Sequence, residues 1–130
     1  MSRVLLILVL LALAGCGGGD SRPNATTSLR ITVWPQGKAG DNIGRTLNCP
    51  RGGGGLSGAD TTCSKLQQVG ISAFAPVPPS TPCTEIYGGP QVAQVRGQLA
   101  GKPIRAEFER TNGCEIARWE RLAFLFPAGP

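Results

Sequence analysis

The stretch "QVAQVRGQLAGKPIRAEFER", Gln91 to Arg110, decides the fold. It contains two alternating runs joined by a glycine-bearing step. Ala93, Val95 and Leu99 share one face of the first run, and Ile104, Ala106 and Phe108 share one face of the second. Successive side chains of a strand point to opposite faces, so each run reads as a half-buried strand. Ala100-Gly101-Lys102 supplies the turn, and the pair reads as an antiparallel hairpin.

The same pattern extends outward. "SLRITVW", Ser28 to Trp34, alternates, with Leu29, Ile31 and Val33 facing one way, and Pro35 and Gly37 end it. This is a further half-buried strand. "DTTCSKLQQV", Asp60 to Val69, reads as a short helix that Asp60 can cap and Gly70 can close. Cys63 and Leu66 lie three residues apart and so share a face of it. Beyond the hairpin, Cys114 to Trp119 reads as a turn of helix. "RLAFLFP", Arg121 to Pro127, reads as a closing strand with Leu122, Phe124 and Phe126 on one face. Trp34, Phe108, Phe124 and Phe126 read as core. The sum is an α+β fold of two layers, a mostly antiparallel sheet with short helices against it.

Residues 1–15 carry the marks of an export signal. Arg3 gives a positive start, and Val4 to Ala14 is an apolar run too short to span a bilayer. Leu13-Ala14-Gly15-Cys16 resembles the lipobox of bacterial lipoproteins, in which the cysteine is acylated and becomes the first residue. Residues 16–27 then form a polar tether, and residues 28–130 are expected to form one domain. The expected location is the extracellular face of the cell membrane, or the medium if the anchor is absent. Asn24-Ala25-Thr26 matches a glycosylation sequon, which such a context makes a coincidence.

Composition narrows the function. The formal net charge of +5 is spread without a block of like charge, which argues against a nucleic-acid partner. The chain has no histidine, so neither a Ser-His-Asp nor a Cys-His arrangement can be built. Its eight carboxylates form no recognisable acid–base pair. An enzyme is not expected, nor is a cofactor. "RGGGGLSG", Arg51 to Gly58, lacks the Gly-Lys-Ser/Thr ending of a phosphate-binding loop and reads as a flexible connection.

Four cysteines follow Cys16: Cys49, Cys63, Cys83 and Cys114. Export favours disulfides, and four cysteines allow three pairings. Sequential pairing closes the shortest loops, of roughly 15 and 32 residues, worth about 3 and 3.7 kcal/mol in the chain-entropy account. A zinc site is disfavoured by the missing histidines and the absence of any Cys-x-x-Cys pair.

Taken in order, "SLRITVW", "TLNCP", "FAPVP", "PCTEIYGGPQ", "TNGCEIARW" and "LAFLF" resemble the Streptomyces subtilisin inhibitor family over nearly all of Ser28 to Phe126. The resemblance implies a five-stranded antiparallel sheet with two helices and the disulfides Cys49–Cys63 and Cys83–Cys114. It implies inhibition of subtilisin-type serine proteases and homodimers formed through the sheet. It places the reactive bond at Glu85–Ile86, with Cys83 at P3, Thr84 at P2, Glu85 at P1, Ile86 at P1′ and Tyr87 at P2′. It gives Asn112 the task of bracing the loop from beneath. The chain departs from the family in three respects, the first being that an acid, Glu85, stands at the recognition position, where it is unusual. The glycine-rich segment replaces a Gly-Thr-His-Pro stretch, and a tether replaces free release.

The residues around Glu85 suit that task. Pro79 and Pro82 stiffen the approach, and Gly88, Gly89 and Pro90 turn the chain back. A carboxylate at P1 is costly to bury without donors, so the expected target is a glutamate-directed protease or a subtilisin with a wet S1 pocket. The competing expectation is a non-inhibitory surface binding module on the same fold.

Overall fold

The computed structural model describes residues 26–49 and 58–127. The hairpin at its centre forms as the alternation requires. Strands Val92–Leu99 and Lys102–Phe108 pair antiparallel, with Val95 opposite Ala106 and Ala93 opposite Phe108. Their connection is a two-residue turn rather than three. Ala100 and Gly101 both have positive φ, 49° and 76°, the pattern of a type I′ turn, whose twist matches that of the flanking strands. Lys102 therefore opens the second strand, paired with Leu99.

The strand Thr27–Trp34 lies antiparallel to Val92–Leu99, and Ile43–Cys49 pairs along its other edge. Numbered along the chain, β1 (Thr27–Trp34), β2 (Ile43–Cys49), β3 (Val92–Leu99) and β4 (Lys102–Phe108) form one sheet in the order β2-β1-β3-β4. Thr27 belongs to β1, and its hydroxyl accepts from the Ala100 N–H at 3.0 Å. The fold thus begins before the expected start at Ser28. β2 escaped the sequence pattern because it is an edge strand on which Leu47 alone is buried.

A layer of helix covers one face of the sheet. Helix α1 spans Ala59–Val69. Asp60 lies in its first turn rather than capping it; Gly58 occupies the cap with no side-chain hydrogen bond. The Asp60 charge still favours the positive helix start. Gly70 closes the helix as expected, its N–H donating to the Leu66 carbonyl at 3.0 Å. A 3₁₀ turn at Ile71–Phe74 then delivers Ala73 and Phe74 to the core.

The C-terminal reading is corrected. Gly113–Leu122 is a helix, α2, followed by a 3₁₀ turn at Ala123–Leu125. The strand expected at Arg121–Pro127 does not form, and among the described residues the sheet has four strands rather than five. Leu122, Phe124 and Phe126 imitate a strand alternation, but Trp119, Leu122 and Phe126 also recur at helical spacing. The decisive signal lies upstream. Asn112 caps the helix, its side chain accepting from the Glu115 N–H at 3.0 Å, and this satisfies one of the orphan donors of the first turn. Leu125, which the strand reading turns outward, is 0% exposed, whereas Phe124 is only half-buried.

The core joins Leu29, Ile31, Val95 and Phe108 of the sheet to Leu66, Leu122 and Leu125 of the helical layer. Phe108 is its hub. Its ring centroid lies 5.4 Å from that of Phe126 and 6.2 Å from that of Phe74, and Trp119 packs on Phe126 at 4.6 Å. Trp34 is half-buried rather than part of this cluster.

Of the three pairings, the sequential one is present. Cys49–Cys63 ties the end of β2 to α1, and Cys83–Cys114 ties the segment before β3 to the first turn of α2. The export signal at 1–15, Cys16, the tether as far as residue 25 and the glycine-rich segment 51–57 lie outside the described residues. Among the described residues, no helix is long and apolar enough to cross a membrane.

Candidate functional site

Between Ala75 and Gln91 the chain forms neither helix nor strand. Its proline content explains this locally. Pro76, Pro78, Pro79, Pro82 and Pro90 lack the N–H that a ladder or a helix interior needs. One turn is closed internally, by the Thr81 N–H donating to the Pro78 carbonyl at 3.0 Å. The rest depends on what lies beneath it.

The start of α2 lies beneath it. Cys83 is bonded to Cys114, with the two Cα atoms 5.4 Å apart. One residue further on, the Gly113 N–H donates to the Thr84 carbonyl at 2.9 Å. On the far side, the Gly88 N–H donates to the Arg110 carbonyl at 2.7 Å. The segment is therefore clamped at Cys83, Thr84 and Gly88, all onto the stretch Arg110–Cys114. The packing at both clamps is close. A Cβ on Gly113 would lie 2.1 Å from the Thr84 hydroxyl, and one on Gly88 would lie 2.9 Å from Ile116 Cδ1. A larger residue at either position would have to displace the Thr84 or Ile116 side chain packed there.

Between the clamps stand Glu85, Ile86 and Tyr87. Ile86 is 58% exposed and Tyr87 68% exposed, and Glu85 is exposed as well. Among the described residues, no hydrogen bond engages their main-chain N–H or C=O groups, and Glu85 joins no ion pair. These three residues keep their backbone polar groups available to an outside partner. They also present two large apolar side chains, which a chain without a partner tends to bury.

The expected site residues Cys83, Thr84, Glu85, Ile86 and Tyr87 thus fall together on one clamped, protruding segment. Asn112 lies beneath it but acts at one remove. Its side-chain oxygen caps α2, and among the described residues its side chain makes no hydrogen bond to the segment. It fixes the first turn, and that turn holds Gly113 and Cys114 against the segment. The Thr84 hydroxyl packs over Gly113 and forms no hydrogen bond within the segment among the described residues.

Sequence reasoning missed Arg110 and Gly113. Arg110 offers its carbonyl to Gly88, while its guanidinium lies over the Trp119 ring at 5.9 Å and 3.6 Å from the Glu120 carboxylate. Its Nε is buried without a hydrogen-bond partner. Nothing in the residue type announces a main-chain acceptor, so Arg110 carried no signal. Gly113 carried one, being a glycine wedged between a helix cap and a disulfide cysteine.

No protein-family model and no curated protein sequence matches the chain. The likeness to the subtilisin inhibitor family rests on the residues quoted above.

Proposed function

We propose that the chain is a serine protease inhibitor that offers Glu85–Ile86 as a substrate-like bond. One observation carries this reading: the main chain of Glu85, Ile86 and Tyr87 is exposed and unengaged, while the residues on both sides are clamped to one structural base. A protease binds its substrate through main-chain hydrogen bonds and a side-chain pocket. A free peptide loses conformational entropy when it is ordered, and a segment held in advance loses less. The clamps also act after bond cleavage. The new amine at Ile86 stays tied through Gly88, and the acyl group of Glu85 stays tied through Thr84 and Cys83. Their high effective concentration favours re-forming the bond over attack by water.

Glu85 directs the reading to glutamate-directed proteases or to subtilisins whose S1 pocket supplies donors. The family resemblance suggests the role of each residue, and the likeness of Leu13–Cys16 to a lipobox supports an inhibitor tethered at the outer face of the cell membrane. The family's fifth strand is not carried over. Among the described residues the sheet has four strands.

Titration of a glutamate-specific protease and of a subtilisin with the chain tests the proposal. Inhibition that reaches completion near one chain per enzyme supports it. A linear, non-saturating response or rapid digestion of the chain refutes it and leaves a non-inhibitory binding module.

A further inference from the structure

The sheet has a second face, away from the helices. Along β1 the residues alternate with the core set, so Ser28, Arg30, Thr32 and Trp34 point to this open side. The register then fixes what stands beside what. Arg30 is directly opposite Arg96, and Arg96 is directly opposite Arg105. Three arginines therefore form one straight rung across β1, β3 and β4, and Thr46 on β2 extends it. All three are exposed. None of them pairs with an acidic side chain among the described residues.

Like charges directly opposite each other across a sheet are destabilising, so the rung works against the fold that contains it. The neighbouring rungs do not relieve it. On one side stand Ser28, Gln98 and Pro103. On the other stand Thr32, Gln94 and Glu107. Glu107, the acid on that rung, bonds Lys38 at 2.7 Å. A shallow recess beside the rung is lined by Ser28, Arg30, Thr46, Asn48 and Arg96, which adds hydroxyl and amide groups to the guanidinium groups.

We infer that this face binds a single-chain polymer of phosphate groups that carries no bases. The charge is a line with neutral flanks, and neighbouring positions in that line are about 5 Å apart. A line of cations suits a linear anion better than a broad headgroup layer does. Guanidinium groups are the side chains best matched to phosphate oxygens. A single-stranded nucleic acid would gain its affinity from stacking on aromatic platforms. The rung and its two neighbouring rungs carry no aromatic residue, and the aromatic on this face among the described residues, Trp34, stands two rungs beyond the arginines, too far to stack a base whose phosphate they hold. The inference does not rest on the inhibitory reading, because the clamped segment is held by α2, on the other layer.

Binding of fluorescently labelled polyphosphate to the purified chain, followed by anisotropy across a salt series, tests this. Three neutralised phosphates predict a slope of about −2 in log K against log salt. Arg96→Gln should weaken binding about fivefold at low salt and flatten the slope by about 0.7. Arg30→Gln should do the same. Arg121→Gln removes an equal charge from α2 and should leave both quantities unchanged. The Gln variants should melt no lower than the parent, which separates lost binding from lost folding. The inference is overturned if polyphosphate does not bind at low salt, or if Arg121→Gln weakens binding as much as Arg96→Gln. It is also overturned if an oligonucleotide of equal charge, or anionic over neutral vesicles, binds more tightly than polyphosphate.

Discussion

In the proposed reading, Glu85 is the residue on which target choice turns. It stands exposed between two clamps and joins no ion pair among the described residues, so its charge is at the disposal of a partner rather than of the fold. Surface substitutions away from a structural feature change stability by less than about 0.5 kcal/mol. Glu85→Lys should therefore keep the melting temperature within a degree or two. It should weaken inhibition of a glutamate-specific protease by at least about a hundredfold, since a like charge would enter a basic pocket. It should also create inhibition of a protease whose S1 pocket holds an acid. Equal inhibition of both enzymes by parent and variant would remove Glu85 from the P1 position. The exposed segment proposed as the site stood out in the sequence because chemistry-bearing residues cluster between prolines and a cysteine. Its support stood out less. Gly113 and Arg110 act through a main-chain N–H and a main-chain carbonyl, which every non-proline residue possesses and no side chain advertises.

At the scale of elements, hydrophobic period was a sound guide wherever one face is buried and the other open. β1, β3 and β4 are of that kind, and each was read correctly. It failed where burial is not one-sided. β2 buries Leu47 alone and shows no alternation to read. The segment after α2 packs as a 3₁₀ turn, whose three-residue period lies between those of strand and helix. The Asn112 cap, with Glu115 three residues on, was the local signal that outranked the apparent alternation. The β3–β4 turn offers a test at this scale. Ala100 is the one non-glycine among the described residues with positive φ, a conformation that costs an alanine about 1–2 kcal/mol and that asparagine tolerates. Ala100→Asn creates the Asn-Gly pair that this turn type prefers. It should stabilise the fold by about 0.5–1 kcal/mol, read as a rise of several degrees in a thermal melt. A fall in melting temperature would show that the turn is of another type.

The whole molecule is a sheet and a helical layer that share one core, with one disulfide to each of the two α-helices. The two bridges have different tasks in this account. Cys49–Cys63 joins β2 to α1 and serves the fold. Cys83–Cys114 joins the clamped segment to α2 and serves the site. Replacing Cys83 and Cys114 together with alanine should leave the secondary structure intact, because the core residues lie elsewhere. It should lower stability by about 2–4 kcal/mol and turn the chain from an inhibitor into an ordinary substrate, seen as fast digestion by the same protease. If the doubly substituted chain inhibits as well as the parent, the bridge does not hold the segment in shape.

In the proposed reading, the bond between Glu85 and Ile86 is held in a form that a protease attacks but does not consume. Incubating the chain with a catalytic amount of a glutamate-specific protease and sequencing the new N-termini over time measures this directly. One new terminus is expected, Ile86, rising slowly to a plateau short of completion while the two halves remain linked through Cys83–Cys114. Complete digestion at many sites, or a first cut elsewhere than before Ile86, would contradict it.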